Sequence, residues 1–236
     1  MKKYLPAALL LLLAIVAQAQ DIEFLQRSQK TFTKIKSKAS FHYLRDEMDS
    51  SALTRVGVFK ITAPAMSSIK DIYEKAEDTA RKSGANAIRL QHLEKDYSSA
   101  IFEAYLLTDQ EIVKNQSYIE KNTFFVFAGE QFQSPVSYYT FEINGAAKSL
   151  KNGTYFRYTL KEGEQVKLRK GTVTGTIMWV KWRPEQLPNY FTIHGFYDEP
   201  AVKRTTVSES TKVGKFKPLD SAFGAFLADV LTPAPE

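Results

Sequence analysis

The stretch YYTFEINGAAKSLKNGTYFRYTLKEGEQVKL, residues 138–168, holds Asn144-Gly145, Asn152-Gly153 and Gly163 between short aromatic and branched runs. Asn-Gly is the strongest short-range hairpin signal, because both central residues of the tight turn need positive φ. Alternation assigns the faces. Phe141 with Ile143, Phe156 with Tyr158 and Leu160, and Val166 with Leu168 point inward; Glu142, Arg157, Lys167 and Arg169 point to water. Further strand candidates extend the pattern on both sides: Thr123–Phe127, Ser137–Ile143, Ala146–Leu150, Thr154–Leu160, Glu164–Arg169, Thr174–Trp182 and Asn189–Phe196. Short strands at this spacing predict an antiparallel sandwich or barrel over residues 117–197, and the β-sandwich is the expectation carried forward.

Residues 20–116 read as a small α/β domain. TRVGVFKIT at 54–62 is too apolar for a loop and predicts a strand. Beyond it, Ile69, Ile72, Tyr73, Ala76 and Ala80 fall at helical spacing. Ser67 or Ser68 caps the helix start, with Asp71 placed for a capping box. Arg81 and Lys82 suit the C-terminal dipole, and Gly84 is the left-handed stop. NAIRLQHL at 86–93 and AIFEAYLL at 100–107 follow as strands, whereas residues 22–50 fit either a strand pair or a helix edge. At the tail, residues 198–236 predict a polar connector and an amphipathic helix with the stripe Leu219, Phe223, Phe226, Leu227 and Val230. That helix docks on its own chain or supports self-association. The expected fold is α+β: a strand-helix-strand-strand unit, an antiparallel sandwich and a short C-terminal helix.

The chain opens MKKYLPAALLLLLAIVAQAQ. A basic pair, an apolar run over Leu9–Val16 and Ala17-Gln18-Ala19 form a cleavable secretory signal, residues 1–19, with the mature chain beginning at Gln20. The run is shorter than the roughly 20 residues that a membrane span takes, so no stable span is expected after cleavage. The destination is periplasmic or extracellular. There is no cysteine, which excludes disulfides, thiol catalysis and a lipid anchor on an N-terminal cysteine. The formal charge is +6, and its excess lies in residues 117–197, with 10 basic against 6 acidic residues. That is too sparse for nucleic acid, which asks for a dense basic face.

Two resemblances attach to these residues. AEDTARKSGANAIRL resembles the helix-to-strand junction of small bacterial envelope domains whose helix ends in A-x-x-x-G-A-N-A-I, here Ala80, Gly84, Ala85, Asn86, Ala87 and Ile88. Residues 124–168 resemble a family of bacterial envelope β-sandwich domains of unknown function, often found on lipoproteins. The matching features are Phe124–Phe127, Asn144-Gly145, Asn152-Gly153, Tyr155 and Gly163. Glu162 stands where that family often has proline, Gln165 where histidine is frequent, and the lipid-bearing cysteine is missing. The resemblance implies an envelope scaffold and brings no catalytic residues with it.

Motifs for chemistry are sparse. His42, His92 and His194 are scattered, with no H-E-x-x-H, so no metal site is expected. His92 shares strand parity with Ile88 and Leu90 and reads as a core-edge histidine. There is no G-x-S-x-G, P-loop or G-x-G-x-x-G, and GTVTG at 171–175 lacks the following helix that a phosphate cradle needs. No cofactor is expected. Glu103 and Glu142 are the carboxylates considered for glycosidase chemistry. MWVKW places Trp179 and Trp182 on opposite faces of a strand. With Tyr190 they are the candidate ligand-binding residues, because exposed aromatics on a β-scaffold stack on sugar rings. The expected function is that of an exported, non-catalytic envelope binding or assembly module, its partner an envelope protein or glycan. A carbohydrate-binding module and a hydrolase of envelope polymers are the alternatives.

Overall fold

The computed structural model describes residues 21–35, 41–63, 68–128, 138–170, 176–193 and 216–235. The signal segment, the 171–175 turn, His194 and most of the 198–217 connector lie outside the described residues.

The fold is mixed α+β, with three sheets and three α-helices among the described residues. Sheet I has the order β1 (Asp21–Arg27), β3 (Thr54–Thr62), β5 (Ser99–Leu106), β4 (Ala87–Leu93), β2 (His42–Tyr43). Residues 22–50 therefore supply both edges of this sheet. Helix α1 (Ile69–Lys82) starts on a full capping box between Ser68 and Asp71 and lays Ile69, Ile72, Tyr73, Ala76 and Ala80 onto the sheet. Ala85 and Ala87 are fully buried where the returning strand passes beneath the helix. Asn86 donates to the Leu107 carbonyl (2.8 Å) and accepts from the Leu107 N–H (2.6 Å), so its amide extends the ladder. A second helix, α2 (Asp109–Ser117), follows β5.

Gly84 ends α1 at φ +87°, and a Cβ there would lie 2.3 Å from the Phe32 Cβ. Residues 32–35 cross that helix end, held by Arg81, whose guanidinium donates to the Ile35 carbonyl (3.3 Å). Left-handed backbone costs an L-residue roughly 1–2 kcal/mol, and the clash adds to it. Gly84→Ala is expected to cost about 2 kcal/mol. The check is a lower urea midpoint at unchanged slope.

Sheet II has the order β13 (Lys217–Pro218), β12 (Asn189–Thr192), β6 (Thr123–Phe127), β9 (Thr154–Thr159), β14 (Thr232–Pro233). Sheet III has the order β11 (Thr176–Lys181), β10 (Gln165–Lys170), β7 (Tyr138–Ile143), β8 (Ala146–Lys151). Phe124, Val126 and Phe191 from sheet II share one apolar cluster with Tyr139, Phe141, Ile143, Leu150, Val166 and Leu168 from sheet III.

The three turns in residues 138–168 do different jobs. Asn144 (φ 51°) and Gly145 (φ 85°) close the β7–β8 hairpin, as the tight turn requires. Asn152-Gly153 closes no hairpin: β8 lies in sheet III and β9 in sheet II, so the chain changes sheets there. Gly153 has positive φ (79°), and Asn152 is absent from the positive-φ residues. Gly163 (φ 73°) passes the chain back from β9 to β10 in sheet III. The expected all-antiparallel pattern also fails in sheet II, where β12 pairs parallel with β6 and β14 parallel with β9. Both strands arrive after long excursions through other elements, which is what a parallel partner demands.

Helix α3 (Ser221–Val230) is capped by Asp220, whose carboxylate accepts from the Ala222 and Phe223 N–H groups. It joins the two halves. Phe226 is fully buried, with ring centroids 5.1 Å from Tyr73, 5.8 Å from Tyr43 and 6.0 Å from Phe102. Phe127 and Tyr190 of sheet II belong to the same cluster. Gly224 allows the approach, since a Cβ there would lie 2.2 Å from Tyr190 Cγ. Of the two fates the sequence allowed, docking on its own chain is the one seen: Ala222, Phe223, Ala225, Phe226 and Leu227 are buried within the chain.

Candidate functional site

The three aromatic candidates separate. Tyr190 on β12 is 6 % exposed, with its ring 5.1 Å from Phe125 and against Gly224. It is a core residue, and the reading of Tyr190 as a ligand residue is corrected on that ground. Its hydroxyl is pushed up to about 12 by burial, an effect that nearby Arg45 opposes. Trp182 is half-buried and packs against the cluster shared by sheets II and III. Trp179 stands on the opposite face and is 54 % exposed.

Register defines what surrounds Trp179. Lys167 lies opposite Trp179, Lys181 opposite Gln165, and Ile177 opposite Arg169 on the β10–β11 ladder. Arg169 lies opposite Glu142 on β7, and Tyr138 opposite Lys151 on β8. The inward residues of these strands, Tyr139, Phe141, Val166, Leu168 and Val180, are all buried. Period-two alternation therefore puts Trp179, Ile177, Tyr138, Lys151, Lys167, Arg169 and Lys181 on one outward face. Glu142 lies on the same face, and Arg169 reaches it at 3.6 Å. The Lys167 ammonium sits 5.8 Å from the Trp179 ring centroid. Among the described residues six large apolar side chains are exposed, and Tyr138, Ile177 and Trp179 are three of them. The apolar exposure is thus concentrated on one face.

The two carboxylates considered for catalysis lie in different sheets, Glu103 on β5 and Glu142 on β7. Glu103 is 5 % exposed. Arg89 reaches it at 2.8 Å, Arg55 at 3.3 Å, and the Tyr105 hydroxyl donates to it at 2.7 Å. Burial pushes this carboxyl up, but hydrogen bonds from Arg89 and Tyr105 and the Arg89 charge overcome that and hold it below its usual range. A general acid needs the opposite shift. This network is an ionised, satisfied cluster.

His92 is corrected too. A register shift between Leu90 and His92 reverses its parity, and the imidazole is exposed beside Glu94 at 3.1 Å. His42 is half-buried, its pKa lowered by burial, with Asp220 opposing. Among the described residues no three His, Cys, Asp or Glu side chains are grouped to hold a metal ion. A hollow of about 480 Å³ lies between Lys34–Ile35 and the acidic side of α1. Its carboxylates are paired, Glu77 with Arg81 at 3.1 Å and Asp78 with Lys82 at 2.6 Å.

Sequence reasoning missed Asn115. It is 2 % exposed, donates to the Tyr43 carbonyl (3.1 Å) and accepts from the Arg45 N–H (2.9 Å), fixing the chain beyond β2. The available signal was Thr108-Asp-Gln-Glu111, which forms a capping box at the start of α2. No helix among the described residues is long and apolar enough to cross a membrane. Comparison with protein-family models, curated proteins and solved structures returned no match.

Proposed function

We propose that the chain is an exported, non-catalytic binding protein of the bacterial envelope, with sheets II and III forming a β-sandwich whose outward sheet III face carries the binding surface. The observation that carries this reading is Trp179, more than half exposed beside Ile177 on a regular sheet face. A rigid sheet presents such a side chain without an ordering cost at the backbone, which suits recognition. The buried carboxylate that hydrolysis would call on, Glu103, is engaged by two arginines and a tyrosine. The shared apolar cluster supports the sandwich, and the N-terminal signal pattern supports export. The resemblance to envelope β-sandwich domains agrees with both.

The test is recovery and binding together. The chain taken from periplasm or medium is expected to begin at Gln20 and to co-sediment with insoluble envelope material. Trp179→Ala is expected to remain in the supernatant with its thermal midpoint unchanged, since surface truncations usually stay within about 0.5 kcal/mol. Release of soluble sugar or peptide by the wild type overturns the non-catalytic reading. Sedimentation of the variant like the wild type overturns the assignment of the face.

A further inference from the structure

Resting on that reading, we infer that the sheet III face binds an acidic sugar polymer, with Trp179 as the stacking plate and the surrounding cations holding carboxylate or phosphate groups on the sugars. The charge pattern selects this occupant. Lys167, Arg169 and Lys181 lie on the two strands around Trp179, Lys151 lies on the same face at the far edge strand, and Glu142, the single acid on this face among the described residues, is taken by Arg169. Much of the basic excess of residues 117–197 thus lies on one side of one sheet, with Lys167, Arg169 and Lys181 near its exposed tryptophan.

The position of Lys167 sharpens the point. Its ammonium stands 5.8 Å from the Trp179 ring centroid, on the approach to the ring. A neutral sugar that stacks there displaces a cation from an aromatic face and returns nothing to it. An anionic sugar stacks and neutralises the same cation. Lys181, on the next outward position of β11, and Arg169, two residues from Lys167, continue the positive charge along the strands. Outward side chains recur about every 7 Å along a strand, a spacing that serves successive charged groups on an extended chain. An acidic polypeptide offers the charge without a flat apolar ring face for Trp179, which is why a glycan fits better.

The experiment titrates the full mature chain with polygalacturonate, a phosphorylated mannan, a fully methyl-esterified polygalacturonate and poly-glutamate. Binding to either acidic polysaccharide supports the inference, and the two arms tell carboxylate from phosphate. The affinity is expected to fall roughly tenfold on raising salt from 50 to 500 mM, as exposed charges are screened. Trp179→Ala is expected to weaken it roughly tenfold, and the pair Lys167→Glu with Lys181→Glu to abolish it. All three positions lie on the outward face, so a matched thermal midpoint certifies the variants. Equal affinity for the esterified polymer or for poly-glutamate overturns the inference, as does undiminished binding by the variants or no binding to either acid. A dimer that Trp179→Ala dissolves also overturns it, making a second copy the occupant. Retained Trp179-dependent binding to envelope material with no response to acidic sugars sinks the inference and leaves the proposed function standing.

Discussion

Phe226→Ala is expected to destabilise the protein by about 3–5 kcal/mol, the cost of removing a fully buried phenyl ring and leaving a cavity. The reason lies in where the ring sits. It is fully buried, and Tyr43 from sheet I, Tyr73 from α1, Phe102 from β5 and Phe223 from its own helix surround it at centroid distances of 4.9 Å or more among themselves and 5.1–6.3 Å from it. These partners are large and fixed by four elements of secondary structure, so the site collapses poorly. Losses at the high end of the range are expected where relaxation is blocked. The same helix carries Asp229, which accepts a 2.5 Å hydrogen bond from the Tyr43 hydroxyl. Burial and that neighbouring carboxylate push the Tyr43 hydroxyl well above its ordinary range, so it stays a donor. A loosened α3 therefore also orphans Tyr43. Urea unfolding followed by both tryptophan fluorescence and far-UV circular dichroism gives the check. Both tryptophans lie in β11 or just after it, whereas circular dichroism sees the whole chain. Coincident curves at a lower midpoint mean that the joint unfolds with the rest. A loss below 1 kcal/mol contradicts the role assigned to Phe226.

What could be read from sequence and what could not divides along physical lines. Local signals were reliable: the Ser68 cap, the Gly84 stop, the strand at 54–62 and the Asn144-Gly145 hairpin depend on residues within a few positions of each other. The Asn152-Gly153 pair misled because its glycine needs positive φ in either setting, whether the next strand returns beside its neighbour or moves to another sheet. Which of these happens depends on partners dozens of residues away. Tyr190 was misplaced for a related reason. The run Thr123–Phe127 has no polar alternation because sheet II is covered on both faces, by sheet III on one side and by α3 on the other. A neighbouring strand such as β12 then has no solvent face for an aromatic to occupy. Parity alone separates Trp179 from Trp182 once β11 is a strand, but which of the two meets water depends on the sheet that packs beneath. Its cationic surroundings were not, because Lys167 and Arg169 reach it only through cross-strand register.

Glu103→Gln is expected to cost about 3 kcal/mol at neutral pH and progressively less in acid. Removing one member of a buried pair leaves the others uncompensated, and here three donors converge on one carboxylate. Arg55 is 43 % exposed and recovers water readily; Arg89, at 18 %, does not, so the loss sits at the lower edge of what such clusters show. The pH dependence has a definite sign. A carboxyl whose folded pKa is depressed contributes stability above its unfolded value, near pH ~4.3. That contribution is lost as the pH falls through the lower folded value. The glutamine variant has no such titration, so its deficit relative to the wild type narrows below pH ~4.3 and remains constant above it. The measurement is the difference in urea midpoint between the two proteins from pH 7 to pH 3, which cancels the titration of other carboxylates. A deficit independent of pH would mean that shape, not charge, makes Glu103 matter. A deficit widening in acid would contradict the depressed pKa itself. The outcome bears on chemistry as well as stability, because a carboxylate held ionised by arginines holds sheet I together and is withheld from acid catalysis.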